Sequence, residues 1–542
     1  MDKAFVDRCF EIVPPMNPRI MNGHLTYEIA DQERRIDETI RKAFDGRFGG
    51  RLRCGGLTQC SPNEAYNHAI KPKNTERTFE LAPSDVYLCR TSLFFDGEPL
   101  TDVYLYLLTV ERGALARISR TMYNFRPTIS DKVISPENKL IFVRLDQYRT
   151  NLMQLSHPIT VNGRHVMESE VVWGQIHKSS KEKKVGPKTK AKSCLVHYLL
   201  GHYGFTEMFK KYVGYVPIYG DRLEITEEKY PRDKWLIIRT AHDLSRAVSC
   251  AEVGYSPTEL RMAIPIDQWT TKMKAFVMSV FYVVDSFPSI LTLDKMEHTT
   301  SWRLTLGHIL FSPSLTVQRI LSQVDEHFAS SDTYMDVESI HKLKQNNHEV
   351  ADFRDLMALL AGEFTALLKT SNDGSLYGKY LDTLRDVLDP VIKSINNTKY
   401  ELMKLELKSN SVTPNKVKDC IVRSIRTGAI FDNNKNSQLV EATSSCTDHP
   451  YFKMTSRLGV ADRSPGGKSK TRVTLGARHY VNTSKMMVGS LLNLSKHNPI
   501  LESHANPWMR TDPDNGTILE DPDMAAELAE VDEKLNRKRG RN

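Results

Sequence analysis

Short basic runs are the residues of this sequence best suited to a chemical task. Ten of their members lie in stretches rich in glycine, proline or lysine: Arg47, Arg51 and Arg53; Lys183, Lys184, Lys188 and Lys190; Lys468, Lys470 and Arg472. A fourth run, KRGR, occupies residues 538–541. Flexible basic segments bind phosphates and release counterions, so these runs predict DNA or RNA binding with little sequence preference. Alternatively, they are solvated loops that only improve solubility.

A cluster of aromatic residues follows the lysine-rich run. Its members are Tyr198, Tyr203, Phe205, Phe209, Tyr212, Tyr215 and Tyr219. Rings beside a basic loop can stack on unpaired bases. Aromatic side chains more often fill a core, and we favour that interpretation for this group.

Carboxylates that follow apolar runs suggest a second kind of chemistry. Asp146, Asp243 and Asp285 each follow such a run, and Glu224, Glu227 and Glu228 could join them. Carboxylates at strand ends can hold Mg²⁺ in nucleases and nucleotidyl transferases. Aspartate after a strand is also the usual turn and helix-cap residue, so an enzyme is only an alternative and no catalytic residue is assigned.

Other site patterns are weak. Cys194, His197 and His202 with Cys446 and His449 could bind zinc, but their spacing is not that of a zinc finger. We therefore predict no metal site and leave any cofactor unknown. The segment SPGGKSK is similar to the end of a phosphate-binding loop, but Asp462 stands where its first glycine should be.

The elements that would position these residues indicate an α+β fold with several domains. Ile36, Ile40 and Phe44 predict a helix over 31–44, and the glycine-rich residues 45–56 predict a loop or an arm that orders on binding. Turns at Asp96-Gly97 and Asn162-Gly163 predict β-hairpins. Trp235 to Arg239 predicts a buried strand, and residues 268–284 fit either a helix or a strand.

Amphipathic spacing over residues 312–430 predicts a helical bundle with three main helices. The third contains Leu381, Leu384, Leu388, Val391 and Ile395 at alternating three- and four-residue spacing. Pro390 should kink or break this helix. The bundle also offers a seam for homo-oligomers.

The predicted organisation has a β-rich N-terminal half, a helical bundle in the C-terminal half and a flexible tail. Its segments are a mixed region with the Gly/Arg-rich loop (1–75), a β-rich domain (76–177), a lysine-rich loop or linker (178–192), a mixed region (193–311), the bundle (312–430) and a polar, partly disordered tail (431–542). Disorder is expected above all beyond about residue 507.

Composition limits the class of protein. The 542 residues carry a formal net charge of +8, and 40% of them are hydrophobic. Eight scattered cysteines are typical of a reducing, intracellular location, cytoplasmic or close to the genome. The N-terminus lacks the apolar core of a signal peptide, and no apolar run approaches the roughly 20 residues that span a bilayer.

We therefore predict a nucleic-acid-binding accessory protein of replication, transcription or genome packaging that contacts phosphates through basic segments. Nucleic acid, either DNA or RNA, is the expected partner, with no membrane and with a homo-oligomer formed through the bundle. One alternative is a structural or assembly protein, capsid-associated or a scaffold. The other is a metal-dependent nuclease or nucleotidyl transferase.

Overall fold

The computed structural model divides the chain into two compact units. Unit 1 contains Met1–Lys132 and Asp373–Asn542, and unit 2 contains Val133–Asn372. The structure describes residues 26–70, 86–111, 115–118, 121–125, 128–130, 132–137, 139–145, 148–176, 192–240, 260–311, 314–370, 375–382, 385–408, 412–427, 439–441, 459–462, 484, 489–494, 502–505, 509–512 and 516–520.

Unit 1 begins with the predicted amphipathic helix. Helix α1 (Thr26–Phe44) buries Ile36, Ile40 and Phe44, as their four-residue spacing predicts. A short helical turn, Arg47–Gly50, follows with several left-handed residues, including Gly49 at φ 70°. Helix α1 then packs on the strand that comes next in the chain.

The prediction of a loop over 45–56 was wrong for its second half. Strand β1 (Leu52–Gln59) pairs antiparallel with the next strand and buries Leu52 completely. The register of this pairing shifts between Cys54 and Leu57, where Gly56 has a φ of 87°. The glycines therefore form a bulge within a strand, because only glycine adopts that backbone conformation without strain.

A three-stranded antiparallel sheet is the centre of this part of unit 1. Helix α2 (Pro62–Ile70) follows β1, and strands β2 (Val86–Phe95) and β3 (Glu98–Leu108) complete the order β1-β2-β3. Asp96 and Gly97 have φ values of 55° and 86°, which confirms the predicted turn. Four short strands follow: β4 (Val110–Glu111), β5 (Leu115–Ile118), β6 (Thr121–Phe125) and β7 (Thr128–Ser130).

Unit 2 is built on an eight-stranded antiparallel sheet. Its strands are β8 (Ile134–Glu137), β9 (Leu140–Arg144), β10 (Arg149–Val161), β11 (Arg164–Gly174), β12 (Ser193–Cys194), β13 (Ile218–Gly220), β14 (Trp235–Thr240) and β15 (Arg261–Pro265). The main path runs β12-β11-β10-β14-β15-β13, with β9 pairing β10 and β8 pairing β9. Asn162 and Gly163, at φ 45° and 82°, form the predicted hairpin turn between β10 and β11.

Helices pack on this sheet to form one contiguous core. They are α3 (Leu195–Tyr203), α4 (Phe205–Tyr212), α5 (Thr271–Ser286), α6 (Thr299–Leu310), α7 (Val317–Ser331), α8 (Val337–Gln345) and α9 (Phe353–Lys369). Residues 268–284, for which the sequence allowed a helix or a strand, lie mostly in helix α5. The Thr270 side chain caps the N-terminus of this helix by accepting a hydrogen bond from the Met273 N–H at 3.1 Å. Trp302, Leu306 and Phe276 are fully buried in the core.

The chain then returns to unit 1. The returning elements are β16 (Tyr380–Asp382), α10 (Arg385–Lys408), α11 (Pro414–Ser424), β17 (Leu439–Glu441), β18 (Gly459–Asp462), β19 (Gly489–Leu494) and β20 (Glu502–Ala505). Strand β16 pairs with β7, and β17 pairs with β6. Helix α10 packs on α1, so Leu388, Val391 and Ile395 share a core with Ile36 and Leu105.

Of the two effects predicted for Pro390, a kink or a break, the break does not occur in helix α10. The helix runs without interruption from Arg385 to Lys408, with Pro390 as its sixth residue. A proline this close to the N-terminus removes a single hydrogen bond of the ladder. Burial of the apolar residues that follow, such as Ile395, offsets that loss.

The α+β, multi-domain fold class is confirmed, and the helices within residues 312–430 are divided between the two units. Helices α7, α8 and α9 belong to unit 2, whereas α10 and α11 belong to unit 1. In the segment 431–542, which the sequence predicts to be partly disordered, the described residues include 509–512 and 516–520. Met509 and Ile518 are buried in a small cluster with Ile129, because β16 and β7 provide apolar partners for them.

Candidate nucleic-acid interface

The three predicted arginines near the N-terminus occupy different environments. Arg51 forms a two-point ion pair with Asp96, at 2.8 and 2.6 Å, and its guanidinium lies 4.5 Å from the centre of the Phe95 ring. Hydrogen bonding from Arg51 lowers the pKa of the Asp96 carboxyl. Arg47 Nη1 lies 3.6 Å from Glu406 Oε2. Arg53 is exposed on β1, directly opposite Phe94 on β2.

The other predicted contact residues lie outside the described residues. These are Lys183, Lys184, Lys188, Lys190, Lys468, Lys470 and Arg472. Their contacts with nucleic acid remain a prediction from the sequence.

Arg53 belongs to a surface that the sequence analysis missed. In β2 the odd-numbered residues Cys89, Thr91 and Leu93 are buried against the helices, so the even-numbered residues point to the opposite side of the sheet. Strand pairing sets Arg90 opposite Tyr104, and Phe94 opposite Arg53. We call this side, with Arg53, Arg90, Phe94, Tyr104 and Tyr106, the outer face.

Helix α2 adds an imidazole to the outer face. The ring centre of His68 lies 4.4 Å from that of Tyr104 and 6.0 Å from that of Tyr106. His68 Nδ1 and the Tyr106 hydroxyl are 3.3 Å apart, and Arg90 Nη1 donates to Glu64 Oε1 at 2.7 Å. Burial raises the pKa values of Tyr104 and Tyr106, so both phenols stay protonated at neutral pH. The outer face is therefore a set of half-buried rings beside two arginines.

A glycine gives one of these rings its position. A Cβ atom on Gly55 of β1 would lie 3.2 Å from Phe94 Cε2 and 3.1 Å from the Ser92 carbonyl oxygen. Without a side chain at Gly55, the Phe94 ring can lie close to the neighbouring strand. The signal in the sequence was the placement of Arg90, Phe94, Tyr104 and Tyr106 on even positions, which becomes meaningful only when the strand register is known.

The carboxylates considered as metal ligands have other partners where the structure describes them. Asp285 Oδ2 accepts from His157 Nε2 at 2.8 Å, and both side chains are only 10% exposed. Glu227 pairs with Arg232, and Glu224 accepts from the Asp221 N–H at 3.3 Å. Glu228 is exposed, and Asp146 and Asp243 lie outside the described residues. Within the described ranges, no three His, Cys, Asp or Glu residues cluster as a metal site would require.

The histidines considered for zinc serve the packing of unit 2. His197 is fully buried, and its Nε2 lies 3.0 Å from the Trp302 carbonyl oxygen, which can only accept. Nε2 therefore carries the proton. His202 Nε2 accepts from Arg354 Nη1 at 2.7 Å. Burial lowers the pKa of each histidine to about 4, and nearby Arg354 adds to the shift at His202. Cys194 is buried, and Cys446 and His449 are outside the described residues.

The aromatic residues after the lysine-rich run belong to the core, as we favoured. Tyr198, Phe205 and Phe209 are fully buried, and Tyr203, Tyr212, Tyr215 and Tyr219 pack against the same cluster. Lys211 Nζ lies 4.8 Å from the ring centres of both Tyr203 and Tyr212. This cluster supports the fold of unit 2.

Among the helices that the structure describes, none is both long and apolar enough to cross a bilayer. A search of curated proteins found no match for the sequence. A family model described as "Non-virion RNA polymerase subunit" matches residues 15–533, which is almost the entire chain and includes the outer face and both units. The chain therefore belongs to the non-virion RNA polymerase subunit family.

Proposed function

We propose that this chain is a nucleic-acid-binding accessory subunit of an RNA polymerase, and that its outer face contacts unpaired bases. Membership of the family fits a role related to transcription. The observation that carries the finer proposal is the combination of Phe94, Tyr104, Tyr106 and two arginines on one side of the β1-β2-β3 sheet.

Partly exposed aromatic side chains on a sheet suit unpaired bases better than duplexes. A base in a duplex is already stacked between its neighbours, whereas an unpaired base can stack on an exposed ring. The His68 ring lies tilted against Tyr104, with the ring centres 4.4 Å apart, so the site already contains one planar group that a base could join. Arg53 can contact phosphates or stack on bases with its planar guanidinium group, whereas Arg90 is paired with Glu64.

The predicted basic runs fit the same proposal. Lys183, Lys184, Lys188, Lys190, Lys468, Lys470 and Arg472 would add phosphate contacts that do not depend on base sequence. We expect such a subunit to act in the compartment that holds the template, which agrees with the intracellular location inferred from its sparse cysteines.

The other predicted functions have less support. The apolar residues proposed as an oligomer seam, including Leu388, Val391 and Ile395, are buried inside unit 1. They are therefore not available to a second copy in this fold. Of the described candidates for metal binding, Asp285 is bound to His157 and Glu227 is paired with Arg232.

Fluorescence anisotropy with labelled oligonucleotides tests the proposal. The variants Phe94→Leu and Tyr106→Leu remove a ring and keep an apolar side chain. Loss of one stacked base costs about 1–3 kcal/mol, so we expect affinity for single strands to fall by roughly 5- to 150-fold. The salt dependence should stay unchanged, because stacking involves no phosphate.

Tyr66→Leu is the matched control. Tyr66 is 67% exposed on α2, and it lies two residues from both Glu64 and His68, which face the sheet. Two residues correspond to about half a helical turn, so Tyr66 points away from the outer face. Unchanged affinity in the Phe94 and Tyr106 variants, with unchanged thermal unfolding, would overturn the proposal.

A further inference from the structure

Helix α11 carries an exposed basic surface that the sequence analysis did not identify. Between residues 412 and 427 the chain has four basic residues, Lys416, Lys418, Arg423 and Arg426, and one acidic residue, Asp419. Lys416 and Lys418 are exposed, and the Arg423 side chain is 82% exposed. Asp419 lies 3.9 Å from Arg423, a separation at which an exposed pair contributes little.

The opposite side of α11 is firmly anchored. Val417 and Ile421, four residues apart, are fully buried in the core that contains Ile36 and Leu105. Pro414 stands at the start of the helix, where its missing N–H costs nothing. The basic side chains therefore extend from a rigid support, and binding a ligand there would not require the backbone to become ordered.

Helix α11 ends beside the outer face. The N–H of Tyr106 donates to the carbonyl oxygen of Thr427 at 3.2 Å, three residues after the last residue of the helix. Tyr106 is itself one of the rings of the outer face. The helix also contacts β3 directly. A strand of nucleic acid that leaves the outer face across the edge strand β3 would therefore reach the basic helix.

We infer that the exposed side of α11 binds backbone phosphates of the nucleic acid whose bases contact the outer face. This inference rests on the proposed function. Lys416 and Arg423 are seven residues apart, which is about 10 Å along the helix axis. Because each strand carries one phosphate per roughly 3.4 Å of duplex axis, this length accommodates more than one phosphate. The excess of positive charge on the helix is complementary to such a polyanion.

A salt titration of single-strand binding tests the inference. The triple variant Lys416→Gln, Lys418→Gln, Arg423→Gln in the full chain removes up to three phosphate contacts. The log–log salt slope should become less steep by about 2, since each contact to a single strand contributes about 0.7. This corresponds to roughly 100-fold weaker binding at 0.1 M salt, with the difference disappearing towards 1 M.

The matched control removes the same charge from unit 2. Lys210, Lys229 and Lys234 are exposed lysines, and changing all three to Gln lowers the net charge equally. This control should keep the wild-type slope. Equal slopes for the α11 variant and wild type would overturn the inference, even if Tyr106→Leu weakens binding and so supports the outer face. Equal loss in both triple variants would also overturn it, because net charge alone would then explain the effect.

Failure of the proposed function has a different outcome. If the wild-type chain binds no oligonucleotide at low salt, both the outer face and the α11 surface are excluded as nucleic-acid sites. If α11 instead binds an acidic segment of another polymerase subunit, the triple variant will bind oligonucleotides normally and will be lost from the assembled polymerase. That result overturns the inference about phosphates.

Discussion

The sheets of the two units differ in the side chains that they carry away from their main cores. The sheet of unit 2 is covered by helices α3, α5 and α9, and its core is one cluster that includes Trp302, Leu306 and Phe276. The three-stranded sheet of unit 1 is covered by α1 on one side and leaves rings and arginines on the other. Half-buried rings and arginines occur together on that second side, beside helix α2, so unit 1 is the better candidate for binding a nucleic acid.

The largest expected effect tests how much unit 2 depends on its core. Leu306→Ala removes a fully buried side chain and should lower the free energy of unfolding by about 2–5 kcal/mol. Leu223→Ala, at a side chain that is 83% exposed in the same unit, should change it by less than about 0.5 kcal/mol. Urea unfolding followed by tryptophan fluorescence is suitable, because four of the five tryptophans, Trp173, Trp235, Trp269 and Trp302, are in unit 2. Similar losses in both variants would mean that the core is loosely packed.

Acid should destabilise unit 2 through His197. Burial lowers the pKa of His197 to about 4 from an ordinary value of 6.5, so the unfolded chain binds a proton more readily between these pH values. Its contribution is fully present above pH 6.5 and is lost as the pH falls towards 4, by about 3 kcal/mol in total. Protonation would place a proton on Nδ1, which is buried and has no hydrogen-bond partner among the described residues.

Unfolding experiments between pH 4 and 7 on wild type and His197→Gln measure this contribution. Gln does not titrate, so the free energy of unfolding of the variant should depend less steeply on pH, by the contribution of one proton. This holds whatever the stability of the variant at pH 7. His202 remains in both proteins as a second group with a pKa of about 4. Parallel pH profiles would contradict the assignment to His197.

A smaller change tests whether the core of unit 1 is as well packed as that of unit 2. Ile395→Val in α10 and Ile141→Val in β9 each remove one methylene from a fully buried side chain. We expect about 0.5–1.5 kcal/mol for each. Hydrogen exchange of α10 and of β9 gives the local stability in each unit. A much smaller loss at Ile395 would indicate that unit 1 adapts to the cavity.

The smallest expected effect distinguishes Arg51 from Arg53 by the salt dependence of single-strand binding. Arg51→Gln should leave the unfolding midpoint unchanged, because the Arg51–Asp96 pair is exposed to solvent. Arg53→Gln should make the salt slope of single-strand binding less steep by about 0.7, whereas Arg51→Gln should not, since Arg51 is already paired with Asp96. Equal changes in slope would show that the ion pair opens when nucleic acid binds.

Local features of the sequence predicted local structure. The spacing of Ile36, Ile40 and Phe44 identified α1, and Asn162-Gly163 identified the hairpin of unit 2. The partner of each helix was not predictable from the sequence, because the apolar spacing of α10 would suit either α7 or α1. In the structure α10 packs on α1. The bulge at Gly55 and Gly56 was not predicted, because neighbouring glycines are typical both of loops and of register shifts within a strand.

The candidate site was only partly accessible to sequence reasoning. Arg53 was identified because basic residues are recognisable one at a time. Its neighbours Phe94 and Tyr104 lie more than 40 residues away, and only the pairing of β1 with β2 and of β2 with β3 brings them together. Arg51 was identified by the same criterion, although Asp96 neutralises it in the fold.

Unit 1 consists of two stretches of chain separated by unit 2, so its core can form only after both stretches have been synthesised. All residues of unit 2 are available once Asn372 has left the ribosome, but the core beneath the outer face needs Ile421 as well as Ile36. At about 5–20 residues per second, the ribosome takes roughly 15–60 s to travel from Lys132 to Ile421. During that interval strands β1, β2 and β3 lack helices α10 and α11. The sheet that carries the outer face therefore gains its complete core only after unit 2 has had time to fold.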